Sequence, residues 1–166
     1  SGAMQPVMSP HYLGDIVGSA LRRADKILAR HTTLIEIPAD LPMVKLDPVL
    51  FEQVLFNLLD NAAKYAPEGS SVLIRGSHRG NAVWLEIIDE GPGIPVEDLE
   101  RVFDSFHRVR KTDHVRAGTG LGLTICRGFV EALGGTIKAG NRTDRSGAVF
   151  TIQMPLSSSQ VPEVLQ

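Results

Sequence analysis

LFEQVLFNLLDNAAKY, residues 50–65, is the stretch that decides the fold. At about 100° per residue, its apolar side chains fall on one side of a helix. They are Phe51, Val54, Leu55, Leu58, Leu59 and Ala62. The other side is polar and carries Gln53, Asn57, Asp60, Asn61 and Lys64. Asp47-Pro48 supplies a cap and a first-turn proline, and Pro67-Glu68-Gly69 supplies a stop. The stretch therefore predicts a long amphipathic helix that packs by one side.

Helical and β-type segments extend from this helix in both directions. Strands are predicted over residues 33–37, 43–46, 72–76, 82–88, 136–139 and 148–154. Further helices are predicted from a Ser9-Pro10 cap to residue 31, over residues 96–102, and from the glycines that begin at residue 118 to residue 133. We therefore expect an α+β fold, a two-layer sandwich in which three longer helices cover one face of a mixed β-sheet.

The length of the chain indicates one domain, because 166 residues suffice for one sizeable core and not for two. We assign residues 9–156 to this domain. Residues 1–8 are expected to be a flexible N-terminus, and Ser1-Gly2-Ala3-Met4 looks like the scar of a protease site. Residues 157–166 are polar and are expected to be a flexible tail.

The composition argues against several classes of function. A net charge of −2 gives no reason to expect binding to nucleic acid. The single cysteine, Cys126, cannot form an internal disulfide, which fits a reducing compartment. No apolar run is long enough to span a bilayer, so we expect no direct membrane contact.

The polar side of the central helix carries two asparagines in mid-helix, Asn57 and Asn61, one turn apart. Asparagine is a poor helix former, at roughly 0.5 kcal/mol or more relative to alanine. A merely solvated face, which is the ordinary alternative, would more easily use Glu, Lys or Gln. Projecting from adjacent turns, the two amide oxygens can converge on one hard cation and Lys64 on one anion. A divalent ion with a polyphosphate asks for this arrangement.

A first glycine segment, Asp89-Glu90-Gly91-Pro92-Gly93-Ile94, follows a predicted strand. A plain strand-to-helix turn would use the same residues. The functional interpretation is that Asp89 accepts a hydrogen bond from an exocyclic amine such as that of adenine. The glycines would then let the backbone approach the base closely.

A second glycine segment, Gly118-Thr119-Gly120-Leu121-Gly122-Leu123, opens the third long helix. Free N–H groups at the positive end of a helix form a natural phosphate cradle. A dinucleotide fingerprint fails, because Leu123 stands where the third glycine belongs and no strand comes immediately before. A Walker A loop fails because no Gly-Lys-Ser/Thr occurs. A flexible hinge remains as the alternative.

Between the glycine segments lies a basic stretch that follows Phe106 and includes Arg108. A basic, glycine-ended loop beside a phosphate cradle is a candidate for a mobile lid. For most of its charges, an ordinary solvated loop is the better explanation. Arg108 is singled out because it lies nearest to the aromatic anchor Phe106.

Taken in order, these segments resemble the histidine-kinase branch of the GHKL, or Bergerat, ATP-binding fold, which is shared with gyrase, Hsp90 and MutL. Residues 57–65 resemble the N box, residues 89–93 the first G box, residues 103–106 the F box and residues 118–123 the second G box. The likeness covers residues 15–155. The sequences of residues 50–65 and 119–137 are particularly similar to those of the KdpD-type potassium-responsive sensor kinases.

The resemblance implies a role for each matching residue and the cofactors ATP and Mg²⁺. Asn61 would coordinate the metal, Asn57 and Lys64 would face the phosphates as the catalytic pair, and Tyr65 would stack on adenine. The remaining nucleotide-binding residues would be Asp89, Gly91, Gly93, Ile94, Phe106, Arg108, Gly118, Thr119, Gly120, Leu121, Gly122 and Leu123.

The same resemblance implies a protein-histidine kinase domain rather than an ATPase. ATP-hydrolysing relatives carry a glutamate where this chain has Asn57, which cannot take a proton. The other candidate carboxylates, Glu52 and Glu90, are judged poorly placed. An ATP-hydrolysing clamp and a degenerate nucleotide-binding scaffold stay as alternatives.

Of the five histidines, none has the context of a phosphoacceptor, a helical His followed by an acidic residue and Thr-Pro. We therefore expect a fragment, monomeric by itself, that binds ATP and does not phosphorylate itself. The implied partners are its own dimerisation and phosphoacceptor domain and a response regulator. The implied location is the cytoplasmic part of a bacterial inner-membrane sensor.

Overall fold

The computed structural model describes residues 5–104 and 122–156. Three α-helices lie in this part of the chain: α1 (Leu13–Arg23), α2 (Pro48–Tyr65) and α3 (Gly122–Ala132). The strands are β1 (Ser9–His11), β2 (Thr32–Glu36), β3 (Val44–Leu46), β4 (Ser71–Arg79), β5 (Ala82–Ile88), β6 (Thr136–Asn141) and β7 (Ala148–Pro155). A short 3-10 helix covers Val96–Asp98.

Five strands form one sheet in the order β2-β4-β5-β7-β6. β2 runs parallel to β4, and the other three pairs are antiparallel. β1 and β3 pair separately as a small antiparallel ribbon. The predicted α+β sandwich of a mixed sheet and three helices is therefore confirmed.

Helix α2 lies between α1 and α3 and also contacts β5. Its apolar side is buried, and Phe51, Val54 and Leu58 are at most 1% exposed. Asp47 caps the helix by accepting hydrogen bonds from the backbone N–H groups of Val49 and Leu50. The periodic stretch therefore does what its pattern predicts, because burial of one side and a good cap both favour the helix.

Three predicted helix boundaries are wrong, one of them the end of the first helix, which lies at Arg23 and not at residue 31. Ser9 and Pro10 do not cap α1; they belong to β1, where they pair with Leu46 and Lys45 of β3. Pro10 can occupy a strand because β1 belongs to a two-stranded ribbon, where an edge strand tolerates a residue without an N–H donor. The helix predicted over residues 96–102 is only the 3-10 helix Val96–Asp98, followed by turns.

Val7 ties the described residues that precede β1 to the domain. The backbone N–H of Val7 donates to Asp47 Oδ2 at 2.9 Å, so this residue adds to the cap of α2. Residues 1–4 and 157–166, which include the predicted tail, lie outside the described residues. Within residues 5–104 and 122–156, we find no helix with the length and apolar character needed to cross a bilayer.

Candidate functional site

Asn57 links α2 to the start of α3. Its Oδ1 accepts a hydrogen bond from Gln53 Nε2 at 2.7 Å, one turn earlier on the same helix. Its Nδ2 donates to the carbonyl oxygen of Gly122 at 3.2 Å. Gly122 is the first residue of α3. The asparagine helix and the second glycine segment therefore meet at this residue, as the sequence predicts for parts of one site.

Asn61 and Lys64 lie on the next turn of α2, and both are half-buried. Lys64 Nζ forms an ion pair with Asp60 Oδ2 at 3.2 Å. The side chain of Asn61 makes no hydrogen bond within the described residues, so its amide oxygen is available to a ligand. The sequence pattern assigns Asp60 to the polar side of the helix and gives it no role. In the structure its ion pair holds Lys64 close to the helix surface.

Asp89 follows the last residue of β5 and is only 4% exposed. Its Oδ1 accepts two backbone hydrogen bonds, from Gly91 N–H at 2.8 Å and from Ala148 N–H at 3.1 Å. Its Oδ2 accepts none from the described residues. Burial raises the pKa of this carboxyl above its usual value, and the two N–H donors oppose that effect only in part.

The first glycine segment packs against the C-terminal end of α2. A Cβ added to Gly91 would lie 2.9 Å from the carbonyl oxygen of Tyr65, which is too close for any other residue to fit without movement. Gly93 has a φ of +77°, in the region that favours glycine. Tyr65, the last residue of α2, is 38% exposed. Tyr65, Asp89 and Gly91 are thus brought together.

Ile94, the last residue of that segment, is held by a residue that sequence reasoning missed. Its N–H donates to Asn141 Oδ1 at 2.7 Å, and its carbonyl oxygen accepts from Asn141 Nδ2 at 2.7 Å. Asn141 is 47 positions away at the end of β6. No local pattern marks it, because its role exists only after β6 has joined the sheet.

The F-box region is joined to α3 at its first turn. Phe103 is buried and its ring packs edge-on against Phe150. The carbonyl oxygen of Phe103 accepts from Thr124 Oγ1 at 2.7 Å. Leu123 is half-buried and packs against the core. Six predicted ligands lie outside the described residues, namely Phe106, Arg108, Gly118, Thr119, Gly120 and Leu121.

Two carboxylates that could serve as a base near this site are engaged elsewhere. Glu52 accepts a hydrogen bond from Ser19 Oγ on α1. Glu90 accepts from the backbone N–H of Ser71 at 2.7 Å and pairs with Arg145 at 3.0 Å. These contacts, with Ser71 first, hold the pKa of Glu90 below its usual value. A charged and fully engaged carboxylate is a poor proton acceptor.

The oxygen of Asn61 suits a hard cation whose other ligands come from phosphates and water. Among the residues described, no group of three His, Cys, Asp or Glu side chains could hold a metal by itself. Asn61 offers a single oxygen. Mg²⁺ commonly takes one or two protein oxygens and completes its shell with phosphates and water. The residues present therefore fit Mg²⁺ that arrives with a polyphosphate, and do not fit a permanently bound metal.

A five-stranded mixed sheet, three helices and these converging segments define a domain of the ATP-binding class that the sequence predicted. The family model described as histidine kinase-, DNA gyrase B- and HSP90-like ATPase matches residues 46–158. The chain belongs to this family, and the resemblance to its histidine-kinase branch is confirmed.

Its relatives include two sensor proteins named KdpD. That of Clostridium acetobutylicum is 42% identical over 142 residues, which are 85% of this chain and 16% of the relative. That of Escherichia coli K12 is 41% identical over 143 residues, 86% of this chain and 16% of the relative. The adaptive-response sensory kinase SasA of Trichormus variabilis is 42% identical over 75% of this chain and 31% of its own length. The chain thus spans about a sixth of the KdpD relatives and a third of SasA.

Solved structures of histidine kinases share the fold. A mycobacterial sensor histidine kinase, MprB, superposes with a TM-score of 0.79 at 27% identity, covering 90% of this chain and 97% of that one. The catalytic domain of histidine kinase ThkA gives 0.79 at 26% identity, covering 95% and 99%. ThkA in complex with the response regulator protein TrrA gives 0.75 at 25% identity, covering 90% of this chain and 42% of that one.

Proposed function

We propose that this chain binds Mg-ATP and donates the γ-phosphate to a histidine on a separate dimerisation and phosphoacceptor domain. The observation that carries the proposal is the convergence of three segments distant in sequence. Asp89 and Gly91 lie against the end of α2, and Asn57 on the same helix contacts Gly122 at the start of α3. One ligand with a base at one end and phosphates at the other fits such a site.

The base end is formed by Asp89 and Tyr65. Asp89 is buried as a residue, and its Oδ2, which has no hydrogen bond from the described residues, favours a donor from the ligand. The exocyclic amine of adenine is such a donor. The half-exposed ring of Tyr65 would stack on the base. Gly91, Gly93 and Ile94 would line the same end.

The phosphate end is formed by Asn57, Asn61 and Lys64. Asn61 would hold Mg²⁺, which neutralises phosphate charge when bound. Lys64, which pairs with Asp60 in this structure, would turn its flexible side chain to a phosphate oxygen when the nucleotide binds. Residues 118–123, with Phe106 and Arg108, would close over the phosphates, and Gly122 and Leu123 anchor that segment to α3.

Transfer to an imidazole is favoured over hydrolysis because Asn57 stands where ATP-hydrolysing relatives carry the glutamate that activates water. Asn57 is a neutral amide with both its oxygen and its nitrogen engaged. Glu52 and Glu90 are held by Ser19, Ser71 and Arg145. A histidine acceptor is already nucleophilic, so positioning and charge neutralisation suffice.

The larger protein would be a sensor kinase, in line with the relatives named KdpD and SasA. The ThkA–TrrA complex supports a response regulator as the next phosphate acceptor. Potassium as the stimulus, and a cytoplasmic position beneath an inner-membrane sensor, extend the KdpD likeness. None of the three described histidines lies in a helix, since His11 is in β1, His78 is in β4 and His31 is in a bend, which supports a separate acceptor.

The test has two arms. Calorimetric titration of the chain with Mg-ATP should give one site, and absence of binding at millimolar nucleotide would instead favour a regulatory scaffold. Incubation with γ-labelled ATP should label a separately added acceptor domain and leave this chain unlabelled. Acid-labile phosphohistidine on the chain alone, or rapid release of inorganic phosphate without an acceptor, would contradict the assignment.

A further inference from the structure

The hairpin connection between β6 and β7, with its flanking residue Asn141, contacts the first glycine segment at both ends and in the middle. We call residues 141–147 the hairpin loop. At its first position, the side chain of Asn141 makes two hydrogen bonds to the backbone of Ile94, both 2.7 Å long. A side chain that pairs with both the N–H and the C=O of one residue fixes that residue much as a strand neighbour would.

Arg142 fixes the other end of the glycine segment. Its Nη1 donates to the carbonyl oxygen of Asp89 at 3.1 Å. The remaining guanidinium nitrogens, Nε and Nη2, form a two-point pair with Asp144 at 3.0 and 3.1 Å. Because Asp144 orients the guanidinium, Arg142 has little freedom to release Asp89. Its side chain is only 14% exposed.

The middle of the segment is held as well. Ser146 Oγ donates to the carbonyl oxygen of Gly91 at 2.6 Å, and Arg145 pairs with Glu90 at 3.0 Å. Immediately after the loop, Ala148 N–H donates to Asp89 Oδ1. Contacts from residues 141–148 therefore reach Asp89, Glu90, Gly91 and Ile94 in turn.

We propose that the hairpin loop is a positioning element that sets the choice of base, with Asn141 and Arg142 as its main positioning residues. This inference rests on the proposed function. Asp89 Oδ1 is occupied by two N–H donors, so the direction of Oδ2 is fixed by where the backbone of residues 89–94 lies. Adenine presents an amine there, whereas guanine presents an oxygen that a carboxylate repels. A shift of about an ångström in the segment weakens both effects.

The test compares three triphosphates in the presence of Mg²⁺: ATP, GTP and purine riboside triphosphate, which lacks the 6-amine. For the unaltered chain we expect the affinity for ATP to exceed that for purine riboside triphosphate by about tenfold or more. One hydrogen bond to a charged group contributes this much. In Asn141→Ala and in Arg142→Ala this ratio should fall by about threefold or more, with the affinity for purine riboside triphosphate changing little.

Thr143→Ala is the matched control, since Thr143 lies in the same loop and makes no hydrogen bond to residues 89–94. It should keep the full preference for ATP. Ser146→Ala deletes one hydroxyl, which donates to the carbonyl oxygen of Gly91. It tests the same preference for ATP if Asn141→Ala or Arg142→Ala disturbs folding.

Each outcome decides a different point. Equal losses for ATP and purine riboside triphosphate in the loop variants would mean that the loop only supports the fold, and would overturn the inference. Unchanged ratios in all loop variants would overturn it too. A chain that binds none of the three nucleotides would contradict the proposed function itself.

Discussion

Asn57 Nδ2 donates a hydrogen bond to the carbonyl oxygen of Gly122 across 65 positions of sequence. The carbonyl belongs to the first residue of α3, so this hydrogen bond joins the polar side of α2 to the start of α3. Asn57 therefore has a structural role beside the phosphate-facing role proposed for it.

Replacing Asn57 by alanine should reduce ATP affinity by about tenfold, because it removes a phosphate-facing amide together with the link to Gly122. Titration calorimetry measures this change. Gln53→Ala is the control, since it removes only the hydrogen bond to Asn57 and should have a smaller effect. An Asn57→Ala chain with unaltered affinity would show that the link carries no binding energy.

Asn61→Ala should abolish the dependence of ATP affinity on Mg²⁺ and leave the fold intact. The side chain makes no hydrogen bond within the described residues, so its loss should not lower the unfolding temperature measurably. The measurement is ATP affinity with Mg²⁺ and with EDTA. Asn61→Asp, which retains an oxygen ligand, should keep the metal dependence. Survival of that dependence in Asn61→Ala would remove Asn61 as the metal ligand.

Asp89→Asn should separate stability from binding. Burial raises the pKa of Asp89, so the folded state takes up its proton at a higher pH than the unfolded state. Its ionised form therefore lowers stability as pH rises from the unfolded pKa through the folded one. Asparagine removes that effect. At neutral pH the unfolding temperature should stay equal or rise, while ATP affinity falls about tenfold or more, because an amide N–H₂ replaces Oδ2.

The same shift predicts the acid limit of binding. ATP affinity should begin to fall at a pH above the ordinary aspartate pKa of 3.8, as Asp89 gains a proton. Measurement of ATP affinity between pH 4 and pH 7 at constant ionic strength locates this limit. A separate titration of free ATP corrects for protonation of the nucleotide. An Asp89→Asn chain with the same acid limit would locate the titrating group elsewhere.

Asp47→Ala should destabilise the fold by about 1 kcal/mol without altering nucleotide affinity, because Asp47 caps the end of α2 opposite to Tyr65. The hydrogen bond from the N–H of Val7, followed by those from the N–H groups of Leu50 and Val49, lowers the pKa of Asp47. Its stabilising effect is therefore present above the unfolded pKa and is lost as pH falls through the lower folded value. Urea denaturation at pH 7 and pH 3 measures both. Asp47→Asn, a good cap without charge, should retain most of the stability at pH 7.

Cys126 should react with thiol reagents only when the domain opens. It is fully buried between α3 and α2, with Sγ 3.6 Å from the carbonyl oxygen of Val54, and burial raises its pKa to about 12. A protonated, inaccessible thiol is unreactive. Labelling with a chromogenic disulfide at pH 8 should be slow in buffer and complete within the dead time in denaturant. Full labelling of the native chain within seconds would contradict this placement.

Elements that depend on local pattern could be predicted from the sequence. Helix α2 is one, since periodicity, a cap and a proline all agree over its 18 residues, and β5 is another. The apolar repeat of α1 is informative in a different way. Ala24 and Leu28 continue it and are buried, yet the helix itself ends at Arg23. The repeat marks which side chains face the core and does not fix where the regular hydrogen bonds stop.

The rest depends on contacts between distant segments. Pro10 lies in a strand because Lys45 pairs with it, and Asn141 matters because Ile94 lies beside it. Residues 57, 61, 64 and 89 could be proposed as site residues because their chemistry is unusual for their position. Asn141, Arg142 and Ser146 are ordinary loop residues by composition, and only the folded sheet shows what they hold.

The place of β7 has a consequence for synthesis of the chain. It comes after every other described strand in sequence, yet it lies in the sheet between β5 and β6. It also supplies Ala148, which bonds Asp89 Oδ1. A nascent chain that ends before β7 therefore has β5 paired with β4 alone and Asp89 without one of its two donors. The surroundings of Asp89 are completed only after the ribosome has released this strand.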